Sequence, residues 1–222
     1  MDTERWWVEG WAVSRRAPEP VDVPWGLRID VGQATQTVRH VLLGGDGAGG
    51  ADRVAVRARA LIGTVTEPTT CVKAFLPAEV MERWFPSAWE PTDPCFLMAV
   101  DLRPSRARLA DGYALTVESD GGVTSVRVLT SGGELAACGR TGTPRGGGAC
   151  VFDQIVTEPA HQRRGLGTVV MGALTEAAVA SGVSTGVLGA TVEGRALYEA
   201  LGWKVLSPLN GFVYRPRPPV GP

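Results

Sequence analysis

The segment from Ala149 to Gly182 constrains the fold more than any other part of the chain, because it predicts a strand, a sharp turn and a helix in direct succession. The turn, residues 162–167, reads QRRGLG, with two arginines ahead of two glycines spaced one residue apart. Glycine leaves the backbone open to a ligand, since no Cβ atom blocks the approach. The first N–H groups of the following helix have no intrahelical partners and lie at the positive end of the helix dipole. The turn is therefore a predicted anion site.

The residues around this segment predict a sheet made mostly of antiparallel strands. The helix after the turn carries an apolar face from Leu166 to Ala178 and ends at Gly182. Strands are predicted at 113–118, 124–130, 134–140, 149–157 and 183–191, a second helix at 193–201, and closing strands at 203–206 and 212–215. Glycine-containing turns join the first three strands into a meander.

The N-terminal half of the chain has weaker patterns. Trp7 and Trp11 have the i, i+4 spacing of a helix that docks on an apolar surface, with an aromatic lip over a cleft as the alternative. We expect no helix to follow the glycine-rich loop at 44–50 closely enough to make it a phosphate site. The other predicted elements are strands at 26–31, 71–76 and 95–102, a helix at 52–61 capped by Asp52, and a helix at 77–85 that starts at Pro77.

Composition excludes several classes of partner. The 222 residues are 44% hydrophobic, which is enough for one large domain or two small ones. A net charge of −1 provides no basic field for nucleic acid or a membrane surface. The N-terminus lacks the pattern of a signal peptide, and no apolar run is long enough to span a bilayer, so a cytoplasmic location is expected.

The cysteines do not predict a metal site. Cys71, Cys95, Cys138 and Cys150 have no CxxC spacing and no nearby histidine. Buried free thiols are the expected state of these side chains, and no metal is expected. The proline-rich tail at 215–222 is expected to fray.

Two motifs in fixed order resemble those of the GNAT N-acetyltransferases. The first is the QRRGLG turn between a strand and a helix, and the second is LYEALGW at 197–203, which follows the next strand. The resemblance covers about residues 113–215. It implies an α/β fold with a mixed, mostly antiparallel central sheet flanked by helices. A Rossmann fold is the competing interpretation, but the third glycine and the later acidic residue are missing.

The resemblance implies acetyl-CoA as co-substrate. In the family its pyrophosphate lies on the amides of the glycine turn, and its pantetheine arm pairs with the end of the preceding strand. By their positions in the two motifs, the resemblance implies that the following residues bind acetyl-CoA: Ile155, Val156, Thr157, Gln162, Arg163, Arg164, Gly165, Leu166, Gly167, Thr168 and Thr191. Thr191 and Gly194 replace the asparagine and alanine that are usual in the second motif. For Arg163 and Arg164, the alternative to a binding role is a solvated pair on the surface.

The resemblance also implies catalytic residues. Tyr198 occupies the position of the tyrosine beside the CoA sulfur, which makes it the candidate general acid; packing between helix and sheet is the alternative. The glutamate that often serves as base would fall at Val151. Asp153, two residues later on the same face of the strand, is the candidate base. Glu118 and Glu134 are reserves, and His161 is expected to be a surface or packing residue.

The family's two helices between its first and second strands have no counterpart here, because only a tight turn separates the strands at 113–118 and 124–130. We expect residues 1–110 to form a lobe that covers the substrate side, either a degenerate GNAT-like half or a family-specific lobe, and residues 111–222 to form the GNAT domain. The repeat of Val65–Pro68 (VTEP) at 156–159 suggests duplication, although no QxxGxG follows the first copy.

The predicted function is acetyl transfer from acetyl-CoA to a primary amine of a small molecule or peptide by direct attack. A non-catalytic acyl-CoA-binding or sensing protein is the alternative. The sequence leaves the acceptor and the formation of a homodimer open.

Overall fold

The structure is a computed structural model, which describes residues 3–45, 48–104 and 108–216. Its helices are α1 (Thr3–Ser14), α2 (Gly50–Ile62), α3 (Ala78–Met81), α4 (Leu166–Ala180) and α5 (Val192–Ala200), with 3-10 turns at Glu82–Trp84 and Pro159–His161. Its strands are β1 (Val21–Val23), β2 (Gly26–Gln33), β3 (Gln36–Leu42), β4 (Cys71–Ala74), β5 (Trp89–Pro91), β6 (Cys95–Asp101), β7 (Tyr113–Asp120), β8 (Val123–Thr130), β9 (Leu135–Gly142), β10 (Ala149–Thr157), β11 (Thr185–Thr191) and β12 (Lys204–Tyr214).

The chain divides into two compact units, each built from two pieces of sequence. The first unit comprises Met1–Arg16 and Met98–Lys204, and the second comprises Ala17–Leu97 and Val205–Pro222. The predicted division at residue 110 is linear, whereas the compact units exchange the two ends of the chain and have their internal boundary between Leu97 and Met98. A sequence pattern shows where an element lies along the chain but not which sheet it joins. The residues at 105–107, within the predicted boundary, and the tail at 217–222 lie outside the described residues.

The sheet of the first unit is mixed and mostly antiparallel, as predicted. Strands β7, β8, β9 and β10 form the expected antiparallel meander, and β11 pairs with β10 in parallel. A parallel pair needs a crossover connection, which α4 provides. Helix α4 therefore begins directly after the carboxyl end of β10, where the glycine turn lies.

Two helices cover opposite faces of this sheet. A Cβ atom built on Gly139 of β9 would lie 2.7 Å from Val170 of α4. Gly142 lies three residues later in β9 and therefore on the other face of the sheet. A Cβ atom built on Gly142 would collide with Gly10 and Ser14 of α1. Trp7 and Trp11 are 5% and 6% exposed, so the predicted docking of this helix through its tryptophans is confirmed. Helix α1 thus covers one face of this sheet, and α4 covers the other.

Docking of α1 depends on a close approach at Gly10. A Cβ atom there would collide with Val151 and lie 2.9 Å from the carbonyl oxygen of Gly142, which is backbone and cannot rotate away. We expect Gly10→Ala to lower the free energy of unfolding by about 1–3 kcal/mol, because overpacking outweighs the better helix propensity of alanine. Urea denaturation measures this. Gly63→Ala is the control, since its Cβ would meet nothing closer than 3.6 Å; equal stability of the two variants would contradict the packing.

The second unit contains a similar order of strands, with α2 between two of them. Strands β1, β2 and β3 are antiparallel, β4 is parallel to β3 with α2 as the crossover, and β12 pairs antiparallel with both β4 and β5. Its core consists of buried apolar side chains from the sheet, α2 and the α3 region, namely Leu42, Val54, Ala58, Leu61, Val72, Ala74, Leu76, Met81, Trp89 and Phe212.

Several predicted elements of this unit are wrong in detail. Helix α2 begins at Gly50 after a left-handed Gly49 (φ 69°), so Asp52 lies in its first turn and is not its cap. The expectation that no helix follows the glycine-rich loop closely is therefore also wrong; residues 46–47 of that loop lie outside the described residues. The VTEP repeat is not topologically equivalent, because Val65–Pro68 follows α2 whereas the second copy precedes α4.

Other differences have local causes. The predicted helix at 77–85 is a single α turn and a 3-10 turn, since Pro86 favours the extended conformation found at Phe85. The two predicted closing strands are one strand, β12, in which Gly211 pairs with Lys73 and lies under its side chain. Strands β1, β3 and β5 were not predicted. In β3 the buried Arg39 and His40 obscure the apolar alternation.

Candidate functional site

The glycine turn of the first unit has the backbone geometry of an anion site. Gly165 is the N-cap of α4 in the left-handed conformation (φ 76°), and Arg163 is also left-handed (φ 61°). The first helical hydrogen bond runs from the Val169 N–H to the Gly165 carbonyl, 3.1 Å. The N–H groups of Leu166, Gly167 and Thr168 therefore lie at the helix start without an intrahelical acceptor. Such groups, at the positive end of the helix dipole, favour a bound anion.

The two glycines are required for different reasons. A Cβ atom at Gly165 would meet nothing within 4 Å, so its positive φ is the reason for glycine there. A Cβ atom at Gly167 would lie 3.3 Å from Cδ2 of Leu197 and 3.7 Å from Oγ1 of Thr157. Gly167 thus lets the start of α4 approach α5 and the end of β10 closely. The Gln162 side chain donates to the Thr157 carbonyl, 3.3 Å, which closes the turn on the strand.

Arg164 is anchored and not merely solvated. Its Nη1 donates to the Tyr113 hydroxyl, 2.9 Å, and that hydroxyl lies 3.0 Å from Nδ1 of His161. The Tyr113 hydroxyl thus accepts from the arginine and forms a second hydrogen bond with the histidine ring. The Tyr113 and His161 rings also pack edge to face. His161 is therefore a packing residue of the turn, as predicted.

Strands β10 and β11 separate beside this turn. Their pairing runs from Ala149↔Thr185 to Phe152↔Leu188, although β10 continues to Thr157 and β11 to Thr191. A bulge marks the divergence: Gln154 has φ 54°, and the register of β10 against β9 shifts between Asp153 and Val156. The edge of β10 that contains Ile155, Val156 and Thr157 therefore faces a gap. We call the space between the two strands beyond Phe152 and Leu188 the strand gap.

Asp153 stands at the start of the strand gap and is held by α1. Its carboxylate accepts from Ser14 Oγ at 2.8 Å and forms a two-pronged ion pair with Arg15, whose Nε and Nη2 lie at 2.5 and 3.0 Å. The Asp153 side chain is 13% exposed. These donors occupy three of roughly four lone-pair positions of the carboxylate. Val151 is buried on the same face, beneath Gly10 of α1, which confirms the predicted alternation.

The ion pair of Arg15 predicts a measurable effect on stability. We expect Arg15→Ala to lower the free energy of unfolding by about 1–3 kcal/mol, because it leaves a poorly solvated carboxylate without its charged partner. Urea denaturation measures the loss. The matched control is Arg16→Ala, since the Arg16–Asp120 pair is 62% and 78% exposed and should contribute less than about 1 kcal/mol. A loss no larger than that of the control would contradict the role of the pair.

Tyr198, on α5, is a half-buried phenol within the electrostatic range of Asp153. Burial, and secondarily the negative charge of Asp153, raises the pKa of Tyr198 to about 12. Its ring lies 6.1 Å from that of Trp203, centroid to centroid. Thr191 begins this helix as its N-cap, and its hydroxyl accepts from the Gly194 N–H at 3.1 Å. The described contact of the Thr191 side chain is thus a helix cap.

Sequence reasoning missed three residues of this site. Ser14, the last residue of α1, and Arg15, the residue after it, contact Asp153, and Tyr113 joins Arg164 to His161. The serine and arginine end a helix whose tryptophans were interpreted only as a docking surface. The residue pattern of the predicted strand at 113–118 indicated no special role for Tyr113. The reserve bases Glu118 and Glu134 lie on the exposed edge strand and in the turn before β9, with no described contact to Asp153.

Among the described residues, no group of three or more His, Cys, Asp or Glu side chains could hold a metal ion. All four cysteines are free thiols; Cys71 and Cys150 are buried, and burial raises the pKa of Cys150 to about 12. None of the helices in the described ranges has the length and apolar character needed to cross a membrane.

Comparisons with known proteins agree with this geometry. Residues 120–205 match the family model of the acetyltransferase (GNAT) domain. A GCN5-related N-acetyltransferase from Kribbella flavida superposes with a TM-score of 0.65 at 11% identity, covering 98% of this chain and 96% of that chain. A GCN5-related N-acetyltransferase from Sphaerobacter thermophilus has a TM-score of 0.55 at 13% identity, with 86% and 77% covered. No curated protein matches the sequence significantly.

A tandem arrangement also appears among the similar structures. A tandem GNAT protein from the clavulanic acid biosynthesis pathway has a TM-score of 0.55 at 14% identity, with 82% of this chain and 76% of that chain covered. The match of residues 120–205 to the GNAT acetyltransferase domain, together with the likeness of fold, confirms the resemblance and the fold class predicted from the motifs. That fold supports acyl-CoA-dependent acyltransferase activity and generally binds acetyl-CoA or another acyl-CoA.

Proposed function

We propose that this protein is an N-acetyltransferase that transfers the acetyl group of acetyl-CoA to a primary amine by direct attack within a ternary complex. The observation that supports it best is the continuity of the strand gap with the glycine turn. A long, thin ligand with a phosphate group can place that phosphate on the turn and its arm in the gap. Acetyl-CoA has this shape, and the GNAT domain favours it over other phosphate ligands.

The residues present fit such a ligand. The N–H groups at residues 165–168 offer donors to a diphosphate, and Arg163 and Arg164, which precede them in the sequence, add positive charge to the turn. The free edge of β10 at Ile155–Thr157 offers backbone donors and acceptors to the amides of a pantetheine arm, as a neighbouring strand would. Thr168 also lines a cavity of about 240 Å³, next to Trp203 and Arg103, with room for part of a nucleoside.

Two side chains would handle the protons. Acetyl-CoA, when bound, supplies an acetyl group activated as a thioester. Asp153, at the start of the strand gap, accepts a proton from the amine directly or through water, at the lone-pair position that Ser14 and Arg15 leave free. The raised pKa of Tyr198 keeps its hydroxyl proton in place at neutral pH, ready for donation to the departing sulfur.

One observation favours a second candidate, a non-catalytic acyl-CoA-binding or sensing protein. Three donors already surround the Asp153 carboxylate, and the apolar Val151 lies buried at the position where the family often has its base. A site built this way can bind an acyl-CoA without a strong base. Under this alternative Tyr198 is a packing residue of α5, whose ring lies next to that of Trp203.

Release of the CoA thiol from acetyl-CoA over a panel of primary amines separates the two candidates. We expect amine-dependent release by the wild type, and a loss of about 100-fold or more in kcat/KM for Asp153→Asn, because the amide cannot accept the proton. Asp120→Asn, an exposed carboxylate on β7, is the matched control. Tight acetyl-CoA binding without release by any amine would favour the sensor. Full activity of Asp153→Asn across pH would exclude it as the base.

We further propose that the second unit is a degenerate GNAT-like half. Like the first unit, it has two antiparallel strands, then a helix, then a strand parallel to the second of them. Helix α2, like α4, begins after a glycine in the left-handed conformation. However, the pairing of β3 with β4 continues to Leu42↔Ala74, the last residues of both strands, so no gap opens between them. We expect one CoA bound per chain in a calorimetric titration; two would contradict the loss of this site.

The acceptor is a small molecule or peptide under this proposal. The net charge of −1 disfavours nucleic acid and membrane surfaces as partners. We propose a cytoplasmic location, where acetyl-CoA is available.

A further inference from the structure

The face of the first sheet that carries α1 continues uncovered past the end of that helix. Beyond Asp153 this face presents Arg140 and Cys138 from β9, Arg127 from β8 and Val156 from β10, which we call the acceptor surface. Val156 is 46% exposed although it is apolar and lies on an inner strand, so no described element covers it. An amine that approaches the strand gap from this side must cross the acceptor surface.

Strand register places these side chains on one face. Asp153 lies directly opposite Arg140, Val156 opposite Cys138, and Cys138 opposite Arg127. Directly opposite residues of an antiparallel pair point to the same face, with Cβ atoms about 5 Å apart. Arg127 and Arg140 are therefore diagonal neighbours, within common reach of two long side chains.

The two arginines keep most of their donors free. Arg140 donates from Nη1 to the Ser14 carbonyl, 3.2 Å, which fixes the guanidinium beside Asp153. Arg127 is exposed and makes no hydrogen bond or ion pair with any residue in the described ranges. Asp153, directly opposite Arg140, is already paired with Arg15. Glu118 of β7 is a diagonal neighbour of Arg127, and Glu158 lies past the end of β10, but neither forms an ion pair with the two arginines among the described residues.

We infer that the amine acceptor carries a carboxylate close to its amino group, as an amino acid does, and that Arg140 and Arg127 bind this carboxylate. The inference rests on the proposed acetyltransferase function. Guanidinium groups present a planar pair of donors that matches a carboxylate. Since Arg140 lies directly across from Asp153, an acceptor held by Arg140 has its amine within reach of Asp153 only if the two groups are a few bonds apart.

Binding of reaction products tests the inference apart from turnover. Calorimetry, with CoA present, compares a set of N-acetyl amino acids with their neutral carboxamides, which differ only in the negative charge. We expect the wild type to prefer the carboxylates. Arg140→Gln and Arg127→Gln should each weaken carboxylate binding on the order of 10- to 100-fold, with unchanged affinity for CoA and for the carboxamides. Arg83→Gln, an exposed arginine of the second unit, is the control and should change neither.

The outcomes separate this inference from the proposed function. Equal binding of carboxylates and carboxamides, or full carboxylate binding by both arginine variants, would overturn the inference even if amines are acetylated. Carboxylate binding that depends on the arginines supports the inference as a binding site. If no amine, amino acids included, then releases the CoA thiol, it is the proposed acetyl transfer that fails.

Discussion

Substitution of Gly165 by leucine abolishes the binding of acetyl-CoA in our account, with a loss of more than about 100-fold in affinity. Gly165 has φ 76°, which a residue with a Cβ atom adopts only at a cost of about 1–2 kcal/mol. Relief of that strain rotates the peptide groups at the start of α4 away from a common point. The diphosphate then loses several charge-assisted hydrogen bonds, each of which contributes about 1.5–3 kcal/mol. Calorimetric titration with acetyl-CoA and with CoA measures the loss.

The chain offers a matched control at the other end of the same helix. Gly182 follows α4 with φ 83°, and a Cβ atom there would also meet nothing within 4 Å. Gly182→Leu should therefore cost the same stability as Gly165→Leu in thermal unfolding and leave the affinity for acetyl-CoA unchanged. Equal affinities of the two variants for acetyl-CoA would contradict the anion site at the glycine turn.

Tyr198→Phe lowers kcat by about 100-fold to 10,000-fold and leaves the affinity for acetyl-CoA close to that of the wild type. The change removes only the hydroxyl that protonates the departing sulfur, a contribution of the size usual for general acid catalysis. Steady-state kinetics with a reactive amine, combined with a binding titration, measures both quantities. Tyr214→Phe, a phenol of the second unit, should leave both unchanged.

The pH dependence provides a second test of Tyr198. Burial raises its pKa to about 12, so the protonated form that acts as an acid persists well above the ordinary range of a phenol near 10. If Tyr198 lost its proton in the ordinary range of a phenol, kcat of the wild type would fall between about pH 8 and pH 10, and kcat of Tyr198→Phe would not. We expect no such loss of kcat. Such a loss, or full activity of the phenylalanine variant, would exclude this residue as the general acid.

The features predicted well from sequence are those set by local backbone chemistry. A glycine before an apolar helical face defines a helix start wherever the chain packs, and Gly165 is the N-cap of α4. The turns that join β7, β8 and β9 are likewise encoded by adjacent glycines. The helix that carries Tyr198 was also predicted from sequence, at 193–201, and α5 spans Val192–Ala200.

The features that could not be predicted depend on contacts between distant parts of the chain. The pairing of Asp153 with Ser14 and Arg15 joins residues that are 139 and 138 positions apart, so no local pattern contains it. The separation of β10 from β11 depends on a bulge at Gln154, a residue whose type does not require a positive φ. Gly49 before α2 was missed because the expected acidic cap, Asp52, lies three residues later.

A crystal structure of the full chain with bound CoA tests the central claim most directly. Our account predicts the diphosphate on the N–H groups of residues 165–168, the pantetheine arm along Ile155–Thr157 in the strand gap, and the sulfur between Asp153 and Tyr198. A CoA molecule bound away from the strand gap, or with its sulfur remote from Tyr198, would contradict it.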